Sequence, residues 1–261
     1  MIRSVKLLRR KTGTTLAEFS AYWRDEHGPL VASHQTRLGI VRHVQTHRDP
    51  AAEEMGSQSR AKRGGMEAPY DGVSETWYAS EDAFSAARST DKGRRADDDL
   101  TMDEDIFADP AASPFWFAHE YPQVSTRRER LTAGPKTGII KVHFALRCRP
   151  ELTMADAQRY WLTAHGPLVR SHAVARGALC YAQVHRYESR LTETGRTPAA
   201  AYAHAYIGHA EAWFDSLQPR VGGEMADAEA AAIADEANFI DWSRSTLFFG
   251  KELVFVDRSW L

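Results

Sequence analysis

The chain has 261 residues, of which 43% are hydrophobic and 26% charged, with a formal net charge of −2. That supplies a real core for one large domain or two ordinary ones, and it offers no basic field to nucleic acid or to an anionic membrane. No segment approaches the ~18 apolar residues of a membrane span, and the two cysteines, Cys148 and Cys180, have neither disulfide-framework nor metal-ligand spacing, so a cytoplasmic, reduced protein is expected.

Met1 to Leu8 is too short an apolar run for a signal peptide, and residues 2–10 read as a strand. Thr14 or Thr15 caps the helix that follows, with Glu18 placed as capping-box partner of Thr15. Phe19, Trp23 and His27 fall on one stripe of that helix. Gly28-Pro29 then predicts a kink or restart, with helix resuming over Leu30–Leu38 and stopping at Gly39. Residues 40–47 alternate as a second strand. Residues 48–69 are polar and small and read as a mobile loop. A strand at 71–78, a helix capped by Ser80, a charged solvated stretch at 91–105 and an aromatic strand at 114–121 complete a β-α-β-β-α-β order.

The same order then starts again. Tyr22-Trp23 through His27-Gly28-Pro29-Leu30-Val31 to Ser33-His34 recurs, without a gap, as Tyr160-Trp161 through His165-Gly166-Pro167-Leu168-Val169 to Ser171-His172. Both copies read YWxxxHGPLVxSH. At the same offset, His43, Gln45 and His47 match Tyr181, Gln183 and His185. Asp103 to Asp109 also resembles Asp235 to Asp241, and Glu120 and Glu252 follow at equal distance. The division is therefore 1–121 and 138–261, with 122–137 as linker. In the second half a strand at 139–147 leads to a helix capped by Thr153. Strands are expected near 179–187, 201–208 and 246–256, with a helix around Glu211–Leu217.

A four-stranded sheet with helices on one face must bury the other. The fold class is thus α+β: two tandem ferredoxin-like repeats, sheet to sheet, as an intramolecular α+β barrel with a cavity between them. His43, Gln45 and His47 share one strand face, as do Tyr181, Gln183 and His185. Polar groups need partners when buried, so these faces are expected to line the ligand cavity, with an outward, solvated face as the plain alternative.

The YWxxxHGP element, set between a capped helix start and a second strand, resembles the EthD family of dimeric α+β barrel proteins, here as a fused tandem copy. The resemblance implies a pocket inside or beside the barrel, with His27 and His165 as candidates to line it. It does not imply one reaction, because the wider superfamily includes cyclases, decarboxylases, dehydratases, cofactor-independent monooxygenases and haem enzymes.

His27 and His165 are the expected catalytic residues, since imidazole exchanges protons near neutral pH. The competing reading is that each donates to a carbonyl freed where Gly-Pro breaks the helix. Tyr22, Tyr160, Gln45, His47, His143, Tyr181, Gln183, His185, His204 and Tyr206 are the expected substrate-binding residues. Trp23 and Trp161 are assigned to the core. Glu120 and Glu252 are placed to fix a histidine tautomer, and Phe115, Phe117 and Phe249 to form an apolar wall. No metal or cofactor is expected: there is no GxGxxG, P-loop or GxSxG, and the eleven histidines show no carboxylate-paired ligand spacing. The function expected is a cofactor-independent small-molecule enzyme. It would use His/Tyr acid–base chemistry, of lyase, cyclase, dehydratase or decarboxylase type, on an aromatic or polyketide-like oxygenated substrate. An oxidoreductase role, as a cofactor-free oxygenase or an accessory protein of an oxidative degradation pathway, and a non-catalytic small-molecule binding protein are the alternatives. The partners expected are a small-molecule substrate and a second copy of the tandem unit, with neither nucleic acid nor membrane.

Overall fold

Eight strands close into one antiparallel barrel in the computed structural model, which describes residues 1–127, 129–189, 191, 205–215 and 222–259. They are β1 (Ile2–Leu8), β2 (Ile40–Arg48), β3 (Gly72–Tyr78), β4 (Phe115–Ser125), β5 (Ile139–Leu146), β6 (Ala178–Tyr187), β7 (Gly208–Asp215) and β8 (Thr246–Asp257). Around the barrel the order is β1-β3-β2-β8-β5-β7-β6-β4, with β4 returning to β1. The first-half strands are contiguous, as are the second-half strands. Two seams join them, β2 against β8 and β4 against β6.

The outer layer consists of helices. In the first half these are α1 (Leu16–Tyr22), α2 (Gly28–Ser33), α3 (Glu53–Ala61), α4 (Glu81–Ser89) and α5 (Asp91–Phe107). The second half has α6 (Met154–Tyr160), α7 (Gly166–Ser171), α8 (Ala173–Arg176) and α9 (Gly223–Glu236). The capping box is present, with Thr15 Oγ1 accepting from the Glu18 amide and Glu18 accepting from the Thr15 amide. Ser80 and Thr153 cap α4 and α6 through their hydroxyls, which accept from the Ala83 and Asp156 amides. No helix among the described residues is long and apolar enough to cross a membrane.

Gly28-Pro29 does not break its helix. One turn of π-helix, Trp23–His27, joins α1 to α2, and Trp161–His165 joins α6 to α7 in the same way. Proline has no amide hydrogen and its ring crowds the carbonyl four residues back. The widened turn absorbs this, since the Gly28 and Gly166 amides donate to the Trp23 and Trp161 carbonyls, five residues back.

Four other expectations are corrected. Residues 48–69 are not a loop throughout, because α3 lies against β8, with Arg60 donating to the Leu247 carbonyl at 3.1 Å. The stretch at 91–105 belongs to α5, which buries Gly93, Ala96 and Phe107 on one face. The helix resuming after Pro29 ends at Ser33 rather than Leu38. The segment expected as helix at 211–217 is β7 as far as Asp215, paired with β5 and β6; the strand expected at 201–208 falls partly outside the described residues. Glu75-Thr76-Trp77 on β3 recurs as Glu211-Ala212-Trp213 on β7, which is the sequence signal for that strand.

The barrel is filled. Val5, Leu7, Val73, Trp116, Ala118, Ala145, Val184 and Phe248 form its apolar interior, with Tyr70 and Tyr206 in the same cluster. Separate clusters lie between strands and helices: around Leu38 and Phe117, around Trp161 and Phe239, and around Trp23 and Phe107.

Candidate active site at one end of the barrel

Each π turn anchors a triad of side chains. Asp103 on α5 accepts from the Tyr22 hydroxyl at 2.9 Å and pairs with His27 Nδ1 at 2.6 Å. Asp235 on α9 does the same with Tyr160 at 2.7 Å and His165 Nδ1 at 2.7 Å. The Asp103 carboxyl is held below its usual range, mainly by the His27 hydrogen bond. Burial, then the bond to Asp103, pushes the Tyr22 phenol up to about 12. Burial lowers the His165 pKa against the pull of Glu236 and Asp235. Neither histidine caps a carbonyl through Nδ1, as one reading of the sequence had it. Asp103 and Asp235 were missed as site residues, although their segments align in the sequence.

The polar faces of β2 and β6 serve the same turns. Gln45 Nε2 donates to the Trp23 carbonyl at 2.8 Å, and Gln183 Nε2 to that of Trp161 at 2.9 Å. His47 and His185 pair with the two glutamine carbonyls at 2.8 and 3.0 Å and lie against the Trp23 and Trp161 rings. The Tyr181 hydroxyl accepts from Trp161 Nε1 at 3.1 Å. These side chains therefore turn to the helix layer, not to the barrel interior. Burial keeps His47 at about 3 and His185 at about 4, so both are neutral near pH 7. Gly28 and Gly166 permit the close seating: a Cβ at Gly28 would enter the Phe255 ring, and one at Gly166 would crowd Gln183 and Gln123.

The opposite strand faces point inward and carry charge. Arg3 on β1 bridges Glu75 and Glu211, with Glu120 at 3.3 Å. Lys141 on β5 meets Glu211, Glu75 at 3.0 Å and Glu252 at 3.1 Å. Burial works against the Lys141 charge, but Glu211, Glu75 and Glu252 outweigh it and raise the ammonium pKa. Burial likewise opposes the Glu211 charge, yet Arg3 and Lys141 hold that carboxyl well below its ordinary value. Glu252 also accepts from the Ala133 amide at 2.7 Å and Trp213 Nε1 at 2.8 Å. Glu120 and Glu252 thus bind cations, not the histidines expected, because the inward face presents Arg3 and Lys141 to them.

One layer deeper, His143 stacks on His209 and Phe248. His209 Nε2 stands 3.1 Å from Glu75. Glu75, His143 and His209 bring three ligand-type atoms within 4.8 Å of one another. Both Glu75 oxygens already meet Arg3 and Lys141, so this donor set is committed to the ion network. Burial drives the His143 pKa well below its ordinary value.

Above the network, where β1, β2, β5 and β6 begin, a cavity of about 310 Å³ opens. Arg3, Lys141, Glu211 and Glu252 line it, together with Trp77, Trp213, Arg42, Glu129, Arg130 and Leu131. Three guanidinium groups surround the Trp77 ring: Arg3 at 4.4 Å, Arg42 at 5.2 Å and Arg130 at 5.8 Å from its centre. Of the expected substrate-binding residues, Tyr181 is among those lining this cavity. His143 lies in the barrel below. Tyr206 is at 3.4 Å from the Tyr70 hydroxyl and 3.2 Å from Glu67. His204 lies outside the described residues. Phe117 and Phe115 belong to an outer cluster and Phe249 to another; the aromatic wall of the cavity is Trp77 and Trp213.

No curated protein matches the chain. Among solved structures, an anthrone oxidase-like protein is similar at 9% identity and a TM-score of 0.54, covering 98% of this chain and 94% of that one. A candidate monooxygenase from Fusobacterium nucleatum is similar at 10% identity and a TM-score of 0.50, covering 97% and 92%. At such identities the likeness is one of fold. The EthD domain model matches residues 11–111 and again 149–243, segments that hold the two π turns, both histidines and both aspartates of the triads. The chain belongs to the EthD domain family and carries that domain twice.

Proposed function

We propose that the chain is a small-molecule enzyme that performs acid–base chemistry without a bound cofactor in the chamber at the barrel end. The two halves, 1–121 and 138–261, are read as ferredoxin-like repeats that close one barrel within one chain; of the expected linker 122–137, residues 122–125 extend β4 and 129–131 line the chamber. The observation that carries the reading is the floor of this cavity. Lys141 and Arg3 share buried carboxylates there, beneath a wall formed by Trp77 and Trp213. An ammonium held among carboxylates can polarise a carbonyl or enolate oxygen, and a carboxylate beside it can take a proton. Indole walls suit an aromatic or polyketide-like substrate. Elimination of water, cyclisation and decarboxylation all need these functions and no redox partner. His27 and His165, with Nδ1 engaged by aspartate, are the second place where proton transfer is proposed. A cytoplasmic location, and a homodimer of the tandem unit, go with this reading.

The second reading, an oxygenase or an accessory of an oxidative pathway, is favoured by the anthrone oxidase-like and monooxygenase names of the similar structures. Incubation with hydroxylated polyketide acids, anaerobically and in air, separates the two. Loss of water or CO2 without oxygen supports the lyase reading; a product that gains oxygen only in air replaces it with the oxidative one. Binding without turnover under both conditions leaves a carrier protein. Proton transfer from a positioned group contributes ~10²–10⁴ in rate, so Lys141→Met and Glu211→Gln should abolish most turnover. Loss in His27→Asn and His165→Asn instead would move the chemistry to the triads.

A further inference from the structure

Arg42 is a buried cation of the chamber that the ion network does not use. It enters from β2 with 4% of its surface exposed. Its Nε and Nη1 have no hydrogen-bond partner, and its nearest carboxylate, Asp257, stands 3.7 Å from Nη1, beyond hydrogen-bond reach. Burial, and then Arg130 beside it, lower its pKa against the pull of Asp257 and Glu252, so the guanidinium is buried with no carboxylate within hydrogen-bond reach. The other cations differ. Arg3 and Lys141 each contact three carboxylates. A buried donor left unmade costs free energy, and the guanidinium fork is shaped for a planar pair of oxygens.

We propose that Arg42 is the anchor for the carboxylate of an aromatic organic acid held in this chamber. The inference rests on the reading of the chamber as the substrate site. The Trp77 ring lies under the guanidinium, so an aryl acid gains stacking and a charge-assisted pair together. Glu211 and Glu252 line the same space. A dianion such as a phosphate monoester would meet them with its second charge, so a monoanion is selected. Asp257 is the internal competitor. The carboxylate then lies at the Arg42 side of the cavity and the reacting part of the molecule over Lys141.

Isothermal titration calorimetry of the full chain with 2-naphthoate tests this, with naphthalene-2-carboxamide as neutral isostere and 2-naphthyl phosphate as dianion. Naphthoate should bind at least tenfold more tightly than the other two. Arg42→Gln should erase that preference, and Arg42→Lys should restore only part of it, because one ammonium cannot replace the fork. Asp257→Asn, a change at the rim, should tighten naphthoate binding and leave the carboxamide unchanged, which keeps the idea testable if Arg42 variants fold poorly. Equal binding of naphthoate and carboxamide to the unaltered protein, or unchanged discrimination in Arg42→Gln, overturns the anchor and leaves the chamber reading intact. Tighter binding of the phosphate overturns the selection of a monoanion. If none of the three probes binds, the chamber reading falls and the anchor falls with it.

Discussion

Arg3 of β1 and Lys141 of β5 hold the same two carboxylates: Glu75 and Glu211 each contact both cations. The two residues occupy equivalent places in the two halves, and so do the two glutamates. A buried charge left without its partner costs about 3–5 kcal/mol. Lys141→Met should lower stability by about that amount, because three carboxylates lose a neighbour at once. Chemical denaturation at pH 7 measures it. The pair Lys141→Met with Glu211→Gln should cost less than the sum of the single changes, since the two share one network.

The triads give a second prediction. Asp103→Asn leaves an acceptor for Tyr22 or His27 but removes the charge that serves both, and a hydrogen bond to a charged group is worth about 1.5–3 kcal/mol. Asp235→Asn should cost a similar amount. The two aspartates share no partner, so the double variant should lose the sum of the single losses. A clearly non-additive result in urea denaturation would show that the two halves communicate through these corners.

Stability should fall as pH drops below about 6.5, the ordinary histidine value. Burial depresses His43 and His47 to about 3 and His185 to about 4. Above pH 6.5 both folded and unfolded chains leave these rings neutral, and no penalty applies. As pH falls through 6.5 the unfolded chain takes up protons that the folded chain refuses, so stability is lost progressively until the folded values are reached. Between pH 6.5 and 5 the carboxylates contribute little, which isolates the histidines. Denaturation midpoints across that window should decline, and His47→Gln with His185→Gln should flatten the decline.

Gly28 should reject alanine for a local reason. A methyl there meets the Phe255 ring, which belongs to β8 in the other half. Overpacking costs typically 1–3 kcal/mol. Phe255→Leu should recover part of the Gly28→Ala loss while being harmful alone. Thermal melts of the four proteins form a double-mutant cycle; purely additive losses would place the strain in the backbone instead.

The barrel was legible because YWxxxHGPLVxSH recurs without a gap, each copy following a helix start capped by threonine, Thr15 or Thr153. The strand faces of β2 and β6 were separated correctly, yet their direction was read backwards. The sequence points His47 and Gln45 at a ligand cavity. The π turn needs them instead, since its Trp23 carbonyl accepts a side-chain donor as well as the Gly28 amide. A hydrogen-bond pattern of that kind leaves no periodic trace. β7 was missed because its alanines resemble a helix, although Glu211-Ala212-Trp213 repeats Glu75-Thr76-Trp77 at a slightly different spacing. The meeting of Lys141 and Arg3 on Glu75 was not legible, because contacts across a closed barrel join residues far apart in the chain.

A barrel made from two identical chains must show every interior side chain twice, facing itself across the axis. The single chain with seams at β2/β8 and β4/β6 escapes that constraint. Val5 stands where the other half has His143, Val73 where it has His209, and Arg3 where it has Lys141. A two-fold frame thus encloses a lopsided interior.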